Sequence, residues 1–320
     1  MIQISVVIPV YNEEESLAEL HNWIVRVMEG HAFSYEIILV DDGSNDGSWR
    51  QIEKLADLNP YVKGVRFGRN YGKSAALDMG FSKAEGDVVI TMDSDLQDSP
   101  DEIPELYDMI VKEGWEVVSG WKKKRHDPIS KTLPSKFFNG ITRMISGIKL
   151  HDFNCGLKAY DKKVVKNIHL YGEMHRYIPL IAKWSGFTRI TEKVVEHRPR
   201  KYGKTKFGLE RFLYGFLDLI SVSFVNRYKK RPMHFFGTLG TLSFLSGFVI
   251  TVWLISEKIY GLSRGLKVRD ITAQPLFFLA LVALIVGVQL FLTGFLAEMM
   301  ISNTSRKLDY NIDKELNFRG

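Results

Sequence analysis

Over residues 1 to about 120, short apolar runs alternate with stretches whose apolar positions recur every three or four residues. A run of four to eight apolar residues reads as a buried strand, and the longer 3.6-residue period reads as an amphipathic helix. The pattern predicts strands at Ile4 to Val10, Glu36 to Val40, Val62 to Phe67 and Val88 to Met92. Between them it predicts helices from Asn12 toward Met28, through Trp49 to Leu58, and from about Lys73 to Lys83. Asn12, with Glu15 three positions on, resembles a capping box opening the first helix. Strand and helix in alternation with short connections imply an α/β class, a mostly parallel sheet covered on both faces. From Trp115 to Arg200 the pattern loosens. It predicts strands at Glu116 to Gly120, near Leu157 to Tyr160 and near Ile190 to Glu196, with helices through about Ser135 to Ile145 and around Arg176 to Trp184. No internal repeat or low-complexity segment is found.

The remainder differs in kind. Met233 to Ile255 has His234 as its only strongly polar member, and Pro275 to Ala297 has only Gln289. Each has the length needed to cross a hydrocarbon core about 30 Å thick. Before them, Leu209, Phe212, Leu213, Phe216, Leu217, Ile220 and Phe224 recur at helical spacing and run into Arg227, Lys229, Lys230 and Arg231. That is the pattern of an amphipathic helix lying in a membrane interface with its basic end on anionic headgroups. The expected organisation is a globular domain over 1–206, an amphipathic helix over 207–231, a two-span unit over 232–300 and a tail over 301–320. Two spans put both flanks on one side, and the flanking basic residues favour the cytoplasm. The connecting loop also carries Lys258, Arg264, Lys267 and Arg269, so the cytoplasmic expectation leans on the N-terminus, which lacks a basic region followed by a signal core.

Charge changes the picture little. Lys and Arg number 43 against 37 Asp and Glu, a net +6, concentrated at Lys122 to Arg125 and Arg227 to Arg231. Neither run has the regular aromatic interleaving of a single-strand groove, so no nucleic acid is expected as partner. One cysteine, Cys155, excludes an intrachain disulfide and a multi-cysteine zinc site.

The candidate chemistry lies at strand ends. Val88 to Met92 runs into Asp93-Ser94-Asp95, and Glu36 to Val40 into Asp41-Asp42. Ligands of parallel α/β sheets sit beyond the carboxyl ends of the strands. Carboxylates one residue apart raise each other's pKa unless a cation neutralises them, and a hard divalent ion, Mg2+ or Mn2+, is the simplest such cation. Taken alone, the Asp93–Asp95 pair reads equally well as a helix cap or a solvated turn. No strand is followed by G-x-G-x-x-G and no phosphate-loop motif occurs, which argues against a dinucleotide dehydrogenase and a P-loop enzyme.

Pro9-Val10-Tyr11-Asn12-Glu13, Asp41-Asp42-Gly43-Ser44 and Asp93-Ser94-Asp95-Leu96-Gln97 closely resemble the motifs of family 2 glycosyltransferases with the GT-A fold. The D-x-D-L-Q form with two C-terminal spans is similar to the polyprenyl-phosphate glycosyltransferases within that family. The resemblance implies that Pro9, Tyr11 and Glu13 line a nucleotide pocket, that Asp41 or Asp42 reads the base, and that Asp93 sits near sugar and ribose. Asp95 and Gln97, with Asp93, would hold the metal on the diphosphate. Arg200 and Lys206 fall in a segment similar to the family's loop over the donor phosphates. Lys122, Arg125, Lys131 and Ser135 fall where the family grips acceptor phosphate, often with Arg where this chain has Lys, and Asp152 would orient the acceptor or a sugar hydroxyl. His175 is given no role. The implied reaction is inverting transfer of a hexose from a nucleotide sugar, a UDP-hexose ahead of GDP-mannose, to undecaprenyl phosphate in the cytoplasmic membrane, for cell-envelope glycan synthesis or modification. Two rivals are a processive polysaccharide synthase, whose Q-x-x-R-W string does not occur, and a catalytically silent nucleotide-sugar-binding scaffold. Oligomeric state (a homo-oligomer among the options), a partner flippase and a downstream glycosyltransferase are left open.

Overall fold

The computed structural model describes residues 2–123, 139–144, 146–199, 201–202, 231–302 and 312–317. The chain divides into two compact units, Met1–Ile220 with Asp309–Gly320, and Ser221–Leu308.

The first unit is an eight-stranded sheet. Its strands are β1 (Ile4–Val10), β2 (Tyr35–Asp41), β3 (Val62–Phe67), β4 (Val88–Thr91), β5 (Val117–Trp121), β6 (Lys158–Asp161), β7 (Ile190–Val194) and β8 (Ile312–Leu316), in the order β7-β5-β6-β4-β1-β2-β3-β8. β1 pairs in parallel with β2 and β4, β2 with β3, and β5 with β7. β6 runs antiparallel to both β4 and β5, and β8 antiparallel to β3. The expected strands are therefore present nearly as predicted, with antiparallel β6 among the parallel strands and an unexpected β8 antiparallel at the edge.

Side chains alternate across each strand, which sorts the core into two faces. Ile4, Val6, Ile8 and Val10 of β1 join Leu17, Leu20 and Ile24 of α1 (Glu14–Gly30), Trp49 and Ile52 of α2 (Ser48–Leu58), and Leu106 and Ile110 of α4 (Ile103–Val111) in one buried cluster. The opposite face of β1 is covered by α3 (Lys73–Lys83), whose Phe81 meets Tyr160 of β6 edge-on at 5.5 Å. Further along, α5 (Lys162–Asn167) and α6 (Ile178–Trp184) follow β6, with a 3-10 turn over Met174–Tyr177.

The capping box expected at Asn12 does not form. α1 begins at Glu14, no side chain caps it, and Asn12 sits at φ +52°, using its amide oxygen to accept the Asn45 N–H at 2.8 Å. Its own N–H donates to Ser44 Oγ at 2.9 Å. Asn tolerates this left-handed conformation, and the polar side chain serves the β2–α2 turn instead of its own helix.

The second unit is a helix pair, α7 (Pro232–Ser263) and α8 (Pro275–Ser302). Both are long and apolar enough to cross a membrane, with mean hydropathy 1.8 and 2.6. α7 continues past the expected span through Glu257 and Lys258, where Lys258 pairs with Asp270 at 3.0 Å. The two helices approach along small residues: a Cβ on Gly240 would lie 2.7 Å from the Gly287 carbonyl oxygen, and Ser243 Oγ donates to the Ala283 carbonyl at 2.9 Å. Close approach over Gly and Ser is how helices associate where apolar burial offers no drive. Outward-facing Phe248, Trp253, Val282 and Phe295 leave a broad apolar surface. The expected amphipathic helix over 207–231 lies almost wholly outside the described residues.

Candidate active site

Strand direction gathers the site. β1, β2, β4, β5 and β7 end at one edge, and because β6 is antiparallel it begins there. The edge thus brings together Pro9, Asp41 and Asp42, Asp93 to Gln97, Gly120 to Lys122, Asp152 to Gly156, and His197 and Arg198.

Asp93 is the most heavily supported of these. Lys73, in the first turn of α3, makes an ion pair with its carboxylate. Its N–H donates to Asp98 at 3.4 Å, and Asp98, 1 % exposed, holds the Lys122 ammonium at 2.8 Å. Burial works against the charged form of Asp93, but Lys73, Lys122 and Lys158 outweigh it and hold its pKa below the usual carboxylate range. The Asp98 carboxylate likewise offsets burial at Lys122 and pushes its pKa up. The neutralising cation that the sequence demanded of a divalent ion is therefore, at Asp93, a lysine of the chain itself. Gly156 lies against the carboxylate, where a Cβ would come within 2.6 Å of the Asp93 carboxyl carbon.

Asp95 is buried and accepts the Gln97 N–H at 3.2 Å through a turn with Leu96 at φ +60°. The Gln97 backbone carbonyl accepts the Arg198 N–H at 3.0 Å, and its side-chain NH2 donates to the Arg198 carbonyl at 3.4 Å. Among the described residues no group of three or more His, Cys, Asp or Glu gathers to hold an ion. The oxygen donors of Asp93 and Asp95 nevertheless suit Mg2+ or Mn2+, which bind through one or two carboxylates and take further oxygens from phosphates.

Asp41 and Asp42 are both buried at the end of β2. Asp41 accepts the Ser44 N–H at 3.0 Å, and its other oxygen faces Arg66 at 3.7 Å. Asp42 accepts the Tyr71 and Gly72 N–H groups at 2.7 and 2.9 Å, one on each oxygen. Burial raises both pKa values, that of Asp42 to about 6. Of the remaining expected nucleotide residues, Pro9 faces the Asp93 side of the edge, Tyr11 is half-buried just past β1, and the Glu13 N–H donates to Ser48 Oγ at 2.9 Å.

Two expectations fare differently. Lys122, assigned from sequence to an acceptor phosphate, is 13 % exposed and committed to Asp98; leaving it would strand a buried carboxylate. Asp152 is 1 % exposed, with one oxygen accepting the Asn154 N–H at 3.0 Å, so its carboxylate shapes the β6 approach rather than standing open at the edge. Arg125, Lys131, Ser135, Arg200 and Lys206 lie outside the described residues.

The fold adds residues that the sequence did not single out. A small cavity behind Asp93 is lined by Lys73, Asn154, Lys158 and His175, with Cys155, Gly156 and Tyr160. His175 faces Ser74 Oγ through Nδ1 at 3.1 Å, and its N–H donates to the same oxygen at 2.9 Å. Cys155 is buried and its thiol is pushed up to about 12 by that burial, so it stays neutral. Nothing in the sequence singles these residues out, because only the fold brings positions 73, 154, 158 and 175 to one cavity.

A parallel-dominated sheet with paired carboxylates at its carboxyl edge is a GT-A type of architecture, and the same chain carries a two-helix apolar unit. The chain belongs to the glycosyl transferase family 2, whose model matches residues 5–168. The dodecaprenyl-phosphate galacturonate synthase of Rhizobium johnstonii is 36 % identical over 93 % of this chain and 88 % of that protein. The undecaprenyl-phosphate 4-deoxy-4-formamido-L-arabinose transferase of Aeromonas hydrophila is 35 % identical over 92 % of this chain and 87 % of that protein. Among solved structures, the Mycobacterium tuberculosis glucosyl-3-phosphoglycerate synthase in complex with phosphoglyceric acid superposes with a TM-score of 0.55 at 19 % identity, over 70 % of this chain and 80 % of that one. Its complex with Mn2+, UDP-glucose and phosphoglyceric acid gives 0.53 at 19 %, over 70 % of this chain and 79 % of that one.

Proposed function

We propose that this chain is an inverting glycosyltransferase that moves a sugar from a nucleotide sugar, a UDP-hexose ahead of GDP-mannose, to undecaprenyl phosphate in the cytoplasmic membrane. The product would feed cell-envelope glycan synthesis or modification. The observation that carries the reading is the span of the resemblance: relatives named for sugar transfer to polyprenyl phosphate match 92–93 % of the chain. That span takes in the apolar helix pair as well as the carboxylate edge, and a polyprenyl acceptor requires both. In this reading the first unit and the C-terminal strand face the cytoplasm.

The mechanism follows from the acceptor. A phosphate monoester is largely dianionic near neutral pH, with its second pKa near 6, and can attack an anomeric carbon without a strong protein base. The protein's tasks are positioning and electrostatics. Asp93, kept ionised by Lys73 and Lys122, presents a fixed carboxylate where the sugar would lie. Asp95 and the Gln97 side chain, drawn to the 197–198 segment, would hold Mg2+ or Mn2+; the structural neighbour's complex with Mn2+ and UDP-glucose supports that choice. When bound, the ion supplies positive charge that stabilises the departing nucleoside diphosphate. Asp41 and Asp42 fix the turn beside which a base would rest, and Arg200 and Lys206 are proposed to meet the donor phosphates. In-line attack turns an α-linked donor of gluco configuration into a β-linked product.

The test is release of nucleoside diphosphate by the full-length protein in detergent, with Mg2+ or Mn2+, with and without undecaprenyl phosphate. Lipid-dependent release supports the reading. Release that ignores the lipid, or no release from any donor in a panel of nucleotide sugars, overturns it. Asp95→Ala should lower turnover at least 100-fold, and full activity of that variant in chelator would remove the metal assignment.

A further inference from the structure

The cavity behind Asp93 contains an ammonium that the proposed chemistry leaves unused. Lys158 is 3 % exposed and sits in the middle of the sheet, paired in register with Thr91 of β4 and Ser119 of β5. Alternation along β6 sends Leu157 and Ala159 into the main core and turns Lys158 and Tyr160 toward the cavity, where both contribute to the lining. The other two lysines at this edge each touch a carboxylate, Lys73 that of Asp93 and Lys122 that of Asp98. Among the described residues Lys158 touches none. Its hydrogen bond goes to the Cys155 carbonyl, while Asp93 and Asp152 act on it only from beyond contact, and burial followed by the neighbouring Lys73 charge depresses its pKa.

A buried ammonium without a contacting anion is costly, and an anion bound beside it offsets that cost. Asp93, the residue beside which the donor sugar would lie, is part of the cavity wall, together with Lys73, Asn154 and His175. We propose that Lys158, with Lys73, forms a subsite for the carboxylate of the donor sugar, which makes the substrate class a nucleotide-linked hexuronic acid rather than a neutral hexose. This rests on the nucleotide-sugar reading above. A carboxylate on the acceptor side is not available, the donor diphosphate is assigned above to the divalent ion with Arg200 and Lys206, and the lipid phosphate is tetrahedral and carries a long chain. The cavity, walled by Tyr160 and Ile178, has a volume of about 10 Å³, room for about one water-sized oxygen, so a carboxylate oxygen fits it and a whole phosphate does not.

The experiment measures binding of UDP-glucuronate against UDP-glucose, and of UDP-galacturonate against UDP-galactose, to the full chain in detergent with Mn2+ and no lipid. Within each pair the donors differ only at C6. At least one uronate should bind tenfold or more tighter than its neutral partner, and Lys158→Met should bring that ratio to within about twofold. Methionine fills the lysine stem without a charge, so a melting temperature at or above that of the parent chain shows the variant folded. Equal or weaker binding of both uronates overturns the subsite while leaving the transferase reading intact. So does a Lys158→Met variant that keeps the ratio. If that variant instead raises KM for undecaprenyl phosphate with donor binding unmoved, the anion is the acceptor's and the proposal falls. Binding of none of the four donors overturns the subsite together with the UDP-sugar reading, whereas lipid-dependent release of another nucleoside diphosphate would retain the transferase.

Discussion

Asp93 shows how much a single carboxylate depends on what lies beside it. Lys73 fixes it from one side and the missing side chain of Gly156 makes room on the other. Gly156→Ala would place a Cβ 2.6 Å from the Asp93 carboxyl carbon, so the carboxylate must rotate away from Lys73. A displacement of about 1 Å costs on the order of 100-fold in turnover. The expected result is that loss in kcat with UDP affinity retained, and parental turnover in the variant would show that the Asp93 position is not critical. Asp42 carries a different prediction. Its pKa rises from 3.8 to about 6 because burial disfavours its charge. Between those values the folded chain binds more protons than the unfolded one, so this contribution to stability is full below about 3.8 and is lost as pH climbs through about 6. The loss is on the order of 3 kcal/mol at most. Melting temperature measured from pH 4 to pH 7 should carry this downward component, and Asp42→Ala should remove it; an identical slope in both proteins would reject it. The acidic residues were legible because they stand at the ends of apolar runs. Lys73 and Lys158 were not, since only the fold brings positions 73, 93 and 158 together.

At the level of elements, hydrophobic period located β1 to β5 nearly to the residue, because each is a buried run bounded by polar turns. It missed what pairing decides. Nothing in Lys158–Asp161 announces an antiparallel strand, yet that direction delivers Asn154 and Gly156 to the carboxylate edge. β8 was missed as a strand altogether: three of the five residues of Ile312–Leu316 are charged, and it reads as tail. Its charges are used at the edge of the sheet, where Glu315 meets Lys83 at 2.8 Å, Lys314 faces Glu53 at 3.4 Å and Asp313 lies 3.7 Å from Arg66. Leu316 packs against the main core, and the Asn317 side chain donates to the Ala56 and Val62 carbonyls at 3.1 and 3.0 Å. Exposed ion pairs of this kind add little individually, so β8 should be held chiefly by its ladder and Leu316. A chain ending at Ser302 should lose on the order of 2 kcal/mol and aggregate more readily through the bared edge of β3. Thermal unfolding and light scattering of the detergent-solubilised protein would show this; a melting temperature equal to that of the full chain would mean that β8 contributes nothing to stability.

For the whole molecule, the C-terminal strand bears on topology in a way that charge counting cannot. Basic residues flank the helix pair on both sides of each span, with Arg264, Lys267 and Arg269 in the connecting loop opposing Arg231 and Arg306, so the positive-inside signal is divided. Connectivity is not divided. The chain leaves the first unit before α7, passes through α7 and α8, and re-enters the same sheet as β8 beside β3. If both helices span a bilayer, the ends of the pair share a compartment with the carboxylate edge, and the 264–274 loop lies across the membrane from them. That arrangement also suits a lipid acceptor, whose phosphate stays at the surface on the side where nucleotide sugars are made. Cys155 is buried, so single cysteines introduced elsewhere can report on each side. In spheroplasts, a membrane-impermeant maleimide should label Lys267→Cys and leave Lys314→Cys unlabelled, and permeabilisation should expose the latter. Labelling of Lys314→Cys before permeabilisation would place the sheet outside the cytoplasm, and protection of Lys267→Cys would mean that the helix pair does not cross the bilayer at all.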